Sequence, residues 1–253
     1  MNTVRCPRRI ALLLLLPAIA CRHVPSEKER QGAEIHYDLG VNAQQSGDLH
    51  SALAEFQSAL SLDPSFAEAH NALGVLLHNG FKRQDEAISH YKKALEIRPG
   101  FSQAKTNLAN VYLDQGRYEE AIKLYEEALN DMLYREPHIA QGNLGWALYK
   151  KGDTRAALDH IRTAVTMEPK FCLGYEWLGI IETEQKDLNS ACRDFGKYRE
   201  ACPDMADAYY REGSCLAKLG QREAAKQSFT TCQAKAPNDA LKGECRRLAE
   251  QLH

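Results

Sequence analysis

Eight cysteines are the residues of this chain with the most distinctive chemistry, and their positions divide them into two groups. Cys6 and Cys21 lie near the N-terminus, whereas the other six lie between positions 172 and 245. A thiolate is a nucleophile that can accept a lipid, and two thiols in an oxidising compartment can join as a disulfide. The residues around each group indicate which of these reactions to expect.

The residues before Cys21 are typical of an export signal. Three arginines precede an apolar run from Ile10 to Ala20, which is shorter than the ~20 residues that a membrane-spanning helix needs. A basic head, a short apolar middle and small residues before a cleavage point form a secretory signal peptide. We therefore predict a signal peptide at residues 1–20.

The segment Ala18-Ile19-Ala20-Cys21 resembles the lipobox of bacterial lipoproteins. That resemblance implies that Cys21 becomes the first mature residue and carries a covalent diacylglycerol and an N-acyl chain, in which each buried methylene contributes ~0.8 kcal/mol to membrane binding. Arg22 stands where the family's inner-membrane retention signal has Asp, which implies the outer membrane, facing the periplasm. The alternative is an ordinary secreted protein in which Cys21 has no such role.

Charge and hydropathy limit what the mature chain can bind. Without the three arginines of the signal peptide, the net charge changes from −2 to about −5. A protein that binds nucleic acid needs a basic surface for the phosphates, so this charge argues against nucleic acid as a partner. No second apolar stretch approaches membrane length. Residues 21–32 contain the lipidated cysteine and a polar stretch without apolar periodicity, which predicts a flexible tether.

A pattern that recurs every 34 to 36 residues organises the rest of the chain. A small residue occupies its eighth position, at Gly40, Gly74, Ala109, Gly145, Gly179 and Gly213. Alanine and a large apolar residue follow, at Ala52, Ala87, Ala121, Ala157, Ala191 and Ala225, and at Phe56, Tyr91, Tyr125, Ile161, Phe195 and Phe229. This pattern resembles the tetratricopeptide repeat, a pair of antiparallel helices that approach at the small residues and enclose the large ones.

Six such repeats cover residues 33–238 and predict an all-α fold, a right-handed α-solenoid of six tetratricopeptide repeats plus a C-terminal capping helix at residues 239–253. Two repeats depart from the pattern. The second has one extra residue in HNGFKRQ, which predicts a longer turn. The third has two extra residues in NDMLYREPH and lacks the closing proline, which predicts a longer second helix.

Because neighbouring helices in these repeats are antiparallel, the six later cysteines would lie at the same level in pairs along adjacent helices. Cys172 begins, and Cys202 ends, the helix pair of the fifth repeat. The layout predicts three disulfides: Cys172–Cys202, Cys192–Cys215 and Cys232–Cys245. The alternative is six buried free thiols that pack as small apolar residues. The cysteines include no Cys-x-x-Cys motif, so we expect no metal site.

The concave face of the repeats is the predicted protein-binding groove. The first-helix positions that point into it in this family hold Tyr37, Val41, Asn71, Val75, Asn110, Trp146, Tyr149, Ile180 and Tyr210. Asn can pair with a peptide backbone as donor and acceptor, and Trp and Tyr often dominate interface free energy, so this face suits an extended or helical peptide. The alternative for Trp146 and Tyr149 is packing against neighbouring helices.

The sequence contains no motif of catalysis. A phosphate-binding glycine loop, a His-Glu-x-x-His motif and a Gly-x-Ser-x-Gly motif are all absent. We therefore expect no enzyme activity, no small-molecule substrate and no cofactor other than the acyl chains on Cys21.

A lipidated cysteine, a polar tether and six repeats resemble the type IV pilus pilotins, the PilF/PilW/Tgl group. The stretch ALNDMLYREPHIAQGNLGWALYKKGD resembles that group, and PDMADAYYREGSCLAKLG resembles its Tgl branch most, which serves social gliding motility. The resemblance implies that the partners are secretin subunits, whose multimerisation such lipoproteins promote. The repeats alone leave a second interpretation open, an envelope adaptor for polysaccharide or cell-wall machinery.

Overall fold

A computed structural model describes residues 24–252, so the predicted signal peptide and the lipidation of Cys21 lie outside the described residues. The described residues contain thirteen α-helices and no β-strand, which confirms the all-α fold. None of these helices is long and apolar enough to cross a membrane. The chain divides into two compact units, one ending at Ile97 and one beginning at Arg98.

The first unit contains two antiparallel helix pairs, which are the first two repeats. Their helices are α1 (Glu27–Gln45), α2 (Leu49–Leu62), α3 (Ala67–Val75) and α4 (Gln84–Ile97). The loops between paired helices are short, so each pair forms a hairpin.

Helix α1 begins inside the segment for which a flexible tether is predicted. The Ser26 hydroxyl accepts a hydrogen bond from the backbone N–H of Glu29 at 3.3 Å, and the Glu29 carboxylate accepts one from the backbone N–H of Ser26 at 2.7 Å. This reciprocal capping box starts a helix among residues that favour one. The tether prediction is therefore wrong from residue 27 onward, because local capping replaces the missing apolar periodicity.

The extra residue of the second repeat lies within a helix. After α3, Leu76–Gly80 form a π-helical turn, and the N–H of Phe81 donates to the carbonyl of Leu76, five residues earlier, at 3.2 Å. A π turn holds one residue more than an α turn. The prediction of a longer turn is corrected accordingly, because the helix itself widens to take the insertion.

The second unit contains the other four helix pairs and a final helix. Its helices are α5 (Ser102–Asp114), α6 (Tyr118–Leu129), α7 (Pro137–Lys151), α8 (Thr154–Met167), α9 (Cys172–Glu184), α10 (Leu188–Ala201), α11 (Ala206–Lys218), α12 (Arg222–Lys235) and α13 (Asp239–Glu250). Helix α13 occupies the segment predicted as the capping helix and packs against α12. The side chain of Asn238 caps it by accepting from the N–H of Leu241 at 3.0 Å.

The small residue at the eighth position permits the contact between paired helices. A Cβ atom added at Gly145 would lie 2.8 Å from the backbone oxygen of Ala157 and 2.6 Å from Cγ1 of Ile161. Ile161 is fully buried, as are Tyr91 and Tyr125 at the equivalent positions of other repeats. The spacing of small and large residues in the sequence thus encodes the packing of each pair.

The junction after the third repeat differs from the prediction, because α6 ends at Leu129 instead of running on. The carboxylate of Asp131 accepts from the Ser102 hydroxyl at 2.7 Å and from the N–H of Leu133 at 2.9 Å. An aspartate with these two partners stabilises a turn in place of further helix. The turn leaves Met132 98% exposed and Leu133 88% exposed.

Three disulfides cross-link the last two repeats and the final helix. They are Cys172–Cys202, Cys192–Cys215 and Cys232–Cys245, the pairs that the helix layout predicts. Their Cα–Cα distances of 6.0, 5.4 and 6.0 Å are usual for disulfides. Bridges of this kind stabilise a fold chiefly by restricting the unfolded chain.

Candidate protein-binding groove

The predicted groove residues fall in both units, and those of the first unit have mainly a packing role. The ring of Tyr37 packs against those of Phe56 and Phe66, with centroids 6.0 and 5.1 Å apart. Asn71 is only 7% exposed, so little of its side chain is available to a partner. The other three predicted residues of this unit are partly exposed, namely Tyr37, Val41 and Val75.

In the second unit, two asparagines from consecutive repeats meet. Nδ2 of Asn143 on α7 donates a hydrogen bond to Oδ1 of Asn110 on α5 at 2.8 Å. The hydroxyl of Tyr125 donates to the same oxygen at 2.6 Å, and burial raises the pKa of Tyr125, so the hydroxyl stays a donor. The two bonds fix the orientation of Asn110. Nδ2 of Asn110 and Oδ1 of Asn143 are then the donor and the acceptor for a peptide backbone.

An aromatic surface follows along the same face. Trp146 on α7 stacks on Trp177 on α9, with ring centroids 5.3 Å apart and planes 13° apart. The ring of Tyr149 lies 5.1 Å from that of Trp146, and the ammonium of Lys150 lies 4.6 Å from the Trp146 centroid. Trp146 therefore both packs against a neighbouring helix and presents an aromatic face beside a cation.

Tyr149 joins two repeats through its hydroxyl, which donates a hydrogen bond to the carboxylate of Glu184. Burial, and then this carboxylate, raise the pKa of Tyr149 to about 12. The hydroxyl therefore remains protonated at any physiological pH and holds the ring in place beside Trp146.

Two open cavities lie on the second unit at these residues. One of about 280 Å³ is lined by Asn110, Leu113, Asp114, Tyr118, Asn143, Trp146, Lys150 and Trp177. One of about 320 Å³ is lined by Ile180, Thr183, Glu184, Phe195, Tyr210, Arg211, Ser214, Cys215 and Lys218. Small-molecule sites usually enclose most of the ligand surface, whereas these two cavities are open, so they suit side chains of a bound polypeptide better.

A single rule relates the residues of this surface: the ninth position of one repeat meets the sixth position of the next. Asn143 donates a hydrogen bond to Asn110, and Trp146 stacks on Trp177. Ile180 and Arg211 line the same cavity. The predicted groove positions include the ninth but not the sixth, so Asn143, Trp177 and Arg211 are not among the predicted residues. Identical residue types three positions short of a full repeat were the available signal for Asn143 and Trp177, whereas Arg211 had no such signal.

The second cavity is less charged than its residues suggest. The guanidinium of Arg211 lies 2.8 Å from the carboxylate of Glu176 and 2.6 Å from that of Asp207. The predicted residues Ile180 and Tyr210 line this cavity, and the Tyr210 ring packs against another buried ring. The arrangement offers apolar surface and a guanidinium paired with two carboxylates, which are features of a binding surface.

The repeat assignment agrees with known families. The tetratricopeptide repeat matches residues 37–101, 101–169 and 207–239, which together make up about two thirds of the chain. The matched ranges include the asparagine pair and the first tryptophan of the groove.

Two curated relatives illustrate how widely these repeats occur. The type IV pilus assembly protein PilF of Pseudomonas aeruginosa is 35% identical over 121 residues, which are 47% of this chain and 48% of PilF. The protein CTR9 homolog of Arabidopsis thaliana is 26% identical over 216 residues, which are 82% of this chain and 20% of that protein. The chain thus spans about half or less of the length of these relatives.

Two solved structures share the fold. PilW, described as a widely conserved type IV pilus biogenesis factor, superimposes with a TM-score of 0.76 at 23% identity, covering 85% of this chain and 98% of PilW. PilF of Pseudomonas aeruginosa gives a TM-score of 0.73 at 20% identity, covering 87% of this chain and 99% of PilF. At these identities, the likeness establishes the arrangement of helices.

Proposed function

The chain belongs to the tetratricopeptide-repeat family, and from that premise we propose that it is a pilotin-like outer-membrane lipoprotein of the type IV pilus machine. In this proposal it binds secretin subunits and promotes their multimerisation in the outer membrane, as pilus biogenesis and pilus-dependent motility require. The observation that carries the proposal is its 35% identity to PilF over 121 residues.

The groove supplies the binding chemistry that this function needs. The asparagine pair at Asn110 and Asn143 can pair with the backbone of an extended segment, and the Trp146–Trp177 stack can pack against its apolar side chains. Backbone pairing tolerates many sequences, whereas the aromatic stack and Lys150 select among them. A secretin segment with apolar residues beside an acidic one fits this surface.

Membrane attachment through Cys21 would make this binding productive. Two or three acyl chains hold a protein on a bilayer almost permanently, since a single chain gives only reversible attachment. A groove held at the outer membrane raises the effective concentration of each bound secretin subunit at that surface. Subunits that are concentrated and shielded from aggregation then assemble with one another.

A second candidate function is a general adaptor of the cell envelope. The observation that leaves it open is that proteins with other names, CTR9 homolog and the Caulobacter vibrioides protein FlbA, match 82% and 85% of this chain at 26% identity, so the repeats are not specific to pilus proteins. Repeats of this kind serve many partners, so fold alone does not choose between the two.

Co-purification from detergent-solubilised outer membranes distinguishes the candidates. We expect secretin subunits to co-purify with the wild-type chain, and secretin multimers and surface pili to be lost when the gene is deleted. Complementation with Cys21→Ser tests the anchor, and palmitate labelling of the wild-type chain tests its lipidation. Normal multimers in the deletion strain, or cell-wall enzymes in place of secretin among the co-purified proteins, would overturn the first proposal.

A further inference from the structure

Two histidines of the second repeat face each other across the hairpin of α3 and α4. Nδ1 of His70 and Nδ1 of His90 lie 3.0 Å apart, and both residues are partly exposed. Nε2 of His70 lies 3.2 Å from the carbonyl oxygen of Pro64. Since a carbonyl oxygen only accepts, His70 carries its proton on Nε2, and its Nδ1 presents a lone pair to the N–H of His90.

The equivalent positions of two other repeats hold different pairs. In the first repeat, Nδ1 of His36 lies 2.6 Å from a carboxylate oxygen of Glu55. In the fourth, Nδ1 of His160 lies 2.7 Å from the amide oxygen of Gln141. These pairs span the same helix contact with a single imidazole each. They therefore serve as matched controls for the histidine pair.

We propose that His70 and His90 bind a divalent transition-metal ion, Cu²⁺ or Ni²⁺, through their two Nδ1 atoms, with the ion in place of the proton between them. Metal–imidazole bonds of about 2.0–2.1 Å and the 3.0 Å separation give an N–metal–N angle of about 90–97°. That angle suits the tetragonal geometry of Cu²⁺ and Ni²⁺ better than the tetrahedral geometry of Zn²⁺. When the ion binds, the proton of His90 Nδ1 moves to its Nε2, so both rings stay neutral.

One contact of the pair is typical of a metal-binding histidine. A metal-binding histidine usually donates its second N–H to a carbonyl or carboxylate, as His70 does to Pro64. Burial and the ammonium of Lys93 oppose positive charge at the pair, whereas the carboxylates of Asp63, Glu96 and Glu86 attract it. Within residues 24–252 no group of three or more His, Cys, Asp or Glu side chains could hold a metal, so water would complete the coordination.

A bound ion would join the two helices of the second repeat. The disulfides of this chain join helices between residues 172 and 245, and the described part of the first unit contains none. The ion would therefore cross-link the first unit in the way that the disulfides cross-link the last repeats. An ion that binds only the folded state stabilises that state, and the gain in stability increases with the ion concentration.

Titration of the full chain with CuCl₂, NiCl₂ and ZnCl₂ tests the proposal. The protein is purified in detergent with an affinity tag that lacks histidine, and binding is followed by calorimetry and by electron paramagnetic resonance of Cu²⁺. We expect one Cu²⁺ per chain with tetragonal parameters and coupling to two imidazole nitrogens. The variants His70→Gln and His90→Gln should each weaken Cu²⁺ binding at least tenfold, whereas His36→Gln and His160→Gln should leave it unchanged.

Circular dichroism of each variant shows that it is folded, and the two single variants test the pair independently. Cu²⁺ binding that survives either His70→Gln or His90→Gln at full affinity would overturn the proposal. Equal losses in the His36→Gln or His160→Gln controls, or Zn²⁺ binding tighter than Cu²⁺ binding, would also overturn it.

Discussion

Trp146 stacks on Trp177 of the following repeat, with ring centroids 5.3 Å apart and planes inclined by 13°. The stack exists only because the first helices of neighbouring repeats lie side by side in the second unit. Asn110 and Asn143 have the same relationship one repeat earlier. The binding surface is therefore built from contacts between repeats, so its shape depends on how the repeats pack.

The first prediction concerns the aromatic stack. We expect Trp177→Ala to weaken binding of the purified secretin at least about tenfold, because the central aromatic residues of an interface carry most of its free energy. Surface plasmon resonance measures the affinity, and circular dichroism checks the fold. Met132→Ala removes a 98% exposed side chain that does not line either cavity and is the control. If both variants bind the secretin with equal affinity, Trp177 is not part of the binding surface.

The second prediction separates the two asparagines. Asn110→Ala leaves the buried Tyr125 hydroxyl without its acceptor and should reduce the free energy of unfolding by about 1–3 kcal/mol. Asn143→Ala removes a partly exposed donor and should reduce it by less. Urea denaturation measures both changes. Adding Tyr125→Phe to Asn110→Ala should restore part of the loss, and a double variant less stable than Asn110→Ala would contradict this account.

The third prediction concerns the disulfides. Full reduction should raise the intact mass by about 6 Da, two hydrogens for each bridge. The double variant Cys192→Ala/Cys215→Ala should lose about 2–4 kcal/mol of stability, because the bridge closes a loop of 23 residues in the unfolded chain. Thermal unfolding of oxidised and reduced protein measures the effect. No change in mass on reduction would show that the cysteines are free thiols.

The fourth prediction is a pH dependence centred on Glu182, which is 2% exposed. Its Oε1 accepts from Arg162 at 3.1 Å, whereas its Oε2 has no hydrogen-bond partner within residues 24–252. Burial, and then the neighbouring Asp194 carboxylate, raise the pKa of Glu182 from 4.5 to about 7. The folded state therefore binds this proton more tightly than the unfolded chain does.

Stability should consequently fall as pH rises between 4.5 and about 7, by at most about 1.4 kcal/mol per pH unit from this group. Glu182→Gln removes the titration and should make the protein more stable than wild type at pH 8 and flatten the profile. Urea denaturation across this range checks it, with Glu119→Gln at an exposed position as the control. Parallel profiles for wild type and Glu182→Gln would contradict the assignment.

The fifth prediction concerns the turns within repeats. Lys186 has a φ of 63°, whereas the equivalent Gly152 and Gly220 have 104° and 75°. A left-handed conformation costs a residue with a side chain about 1–2 kcal/mol, and glycine avoids this cost. Replacing such a residue with glycine recovers only part of it, because glycine has more conformational freedom to lose on folding. Lys186→Gly should therefore raise the melting temperature, and Gly152→Ala should lower it. A lower melting temperature for Lys186→Gly would show that its side chain stabilises the turn.

The helix pairs are predictable from the sequence because each depends on a local rule. A small residue such as Gly145 and a large one such as Ile161 meet within one repeat, so their spacing is fixed along the chain. The cysteine pairs follow from the same antiparallel layout. The disulfide Cys192–Cys215, for example, joins one helix to the next along the chain.

The features that the sequence does not reveal depend on competing local interactions or on contacts between repeats. The capping box at Ser26 starts α1 without apolar periodicity, and the π turn at Leu76–Gly80 absorbs an insertion that could equally lengthen a loop. Trp177 lies at the sixth position of its repeat, which is not among the positions predicted to face the groove. Its role appears only when Trp146 of the preceding repeat is placed against it.

Photo-crosslinking in living cells tests the central claim most directly, namely that the groove of the second unit holds a secretin segment. A photoreactive amino acid replaces Lys150, an exposed residue that lines the first cavity, and Met132 outside both cavities is replaced as the control. We predict a crosslinked product with the secretin from position 150 and none from position 132. Crosslinking to secretin from position 132 alone, or from neither position while pili still assemble, would contradict the claim.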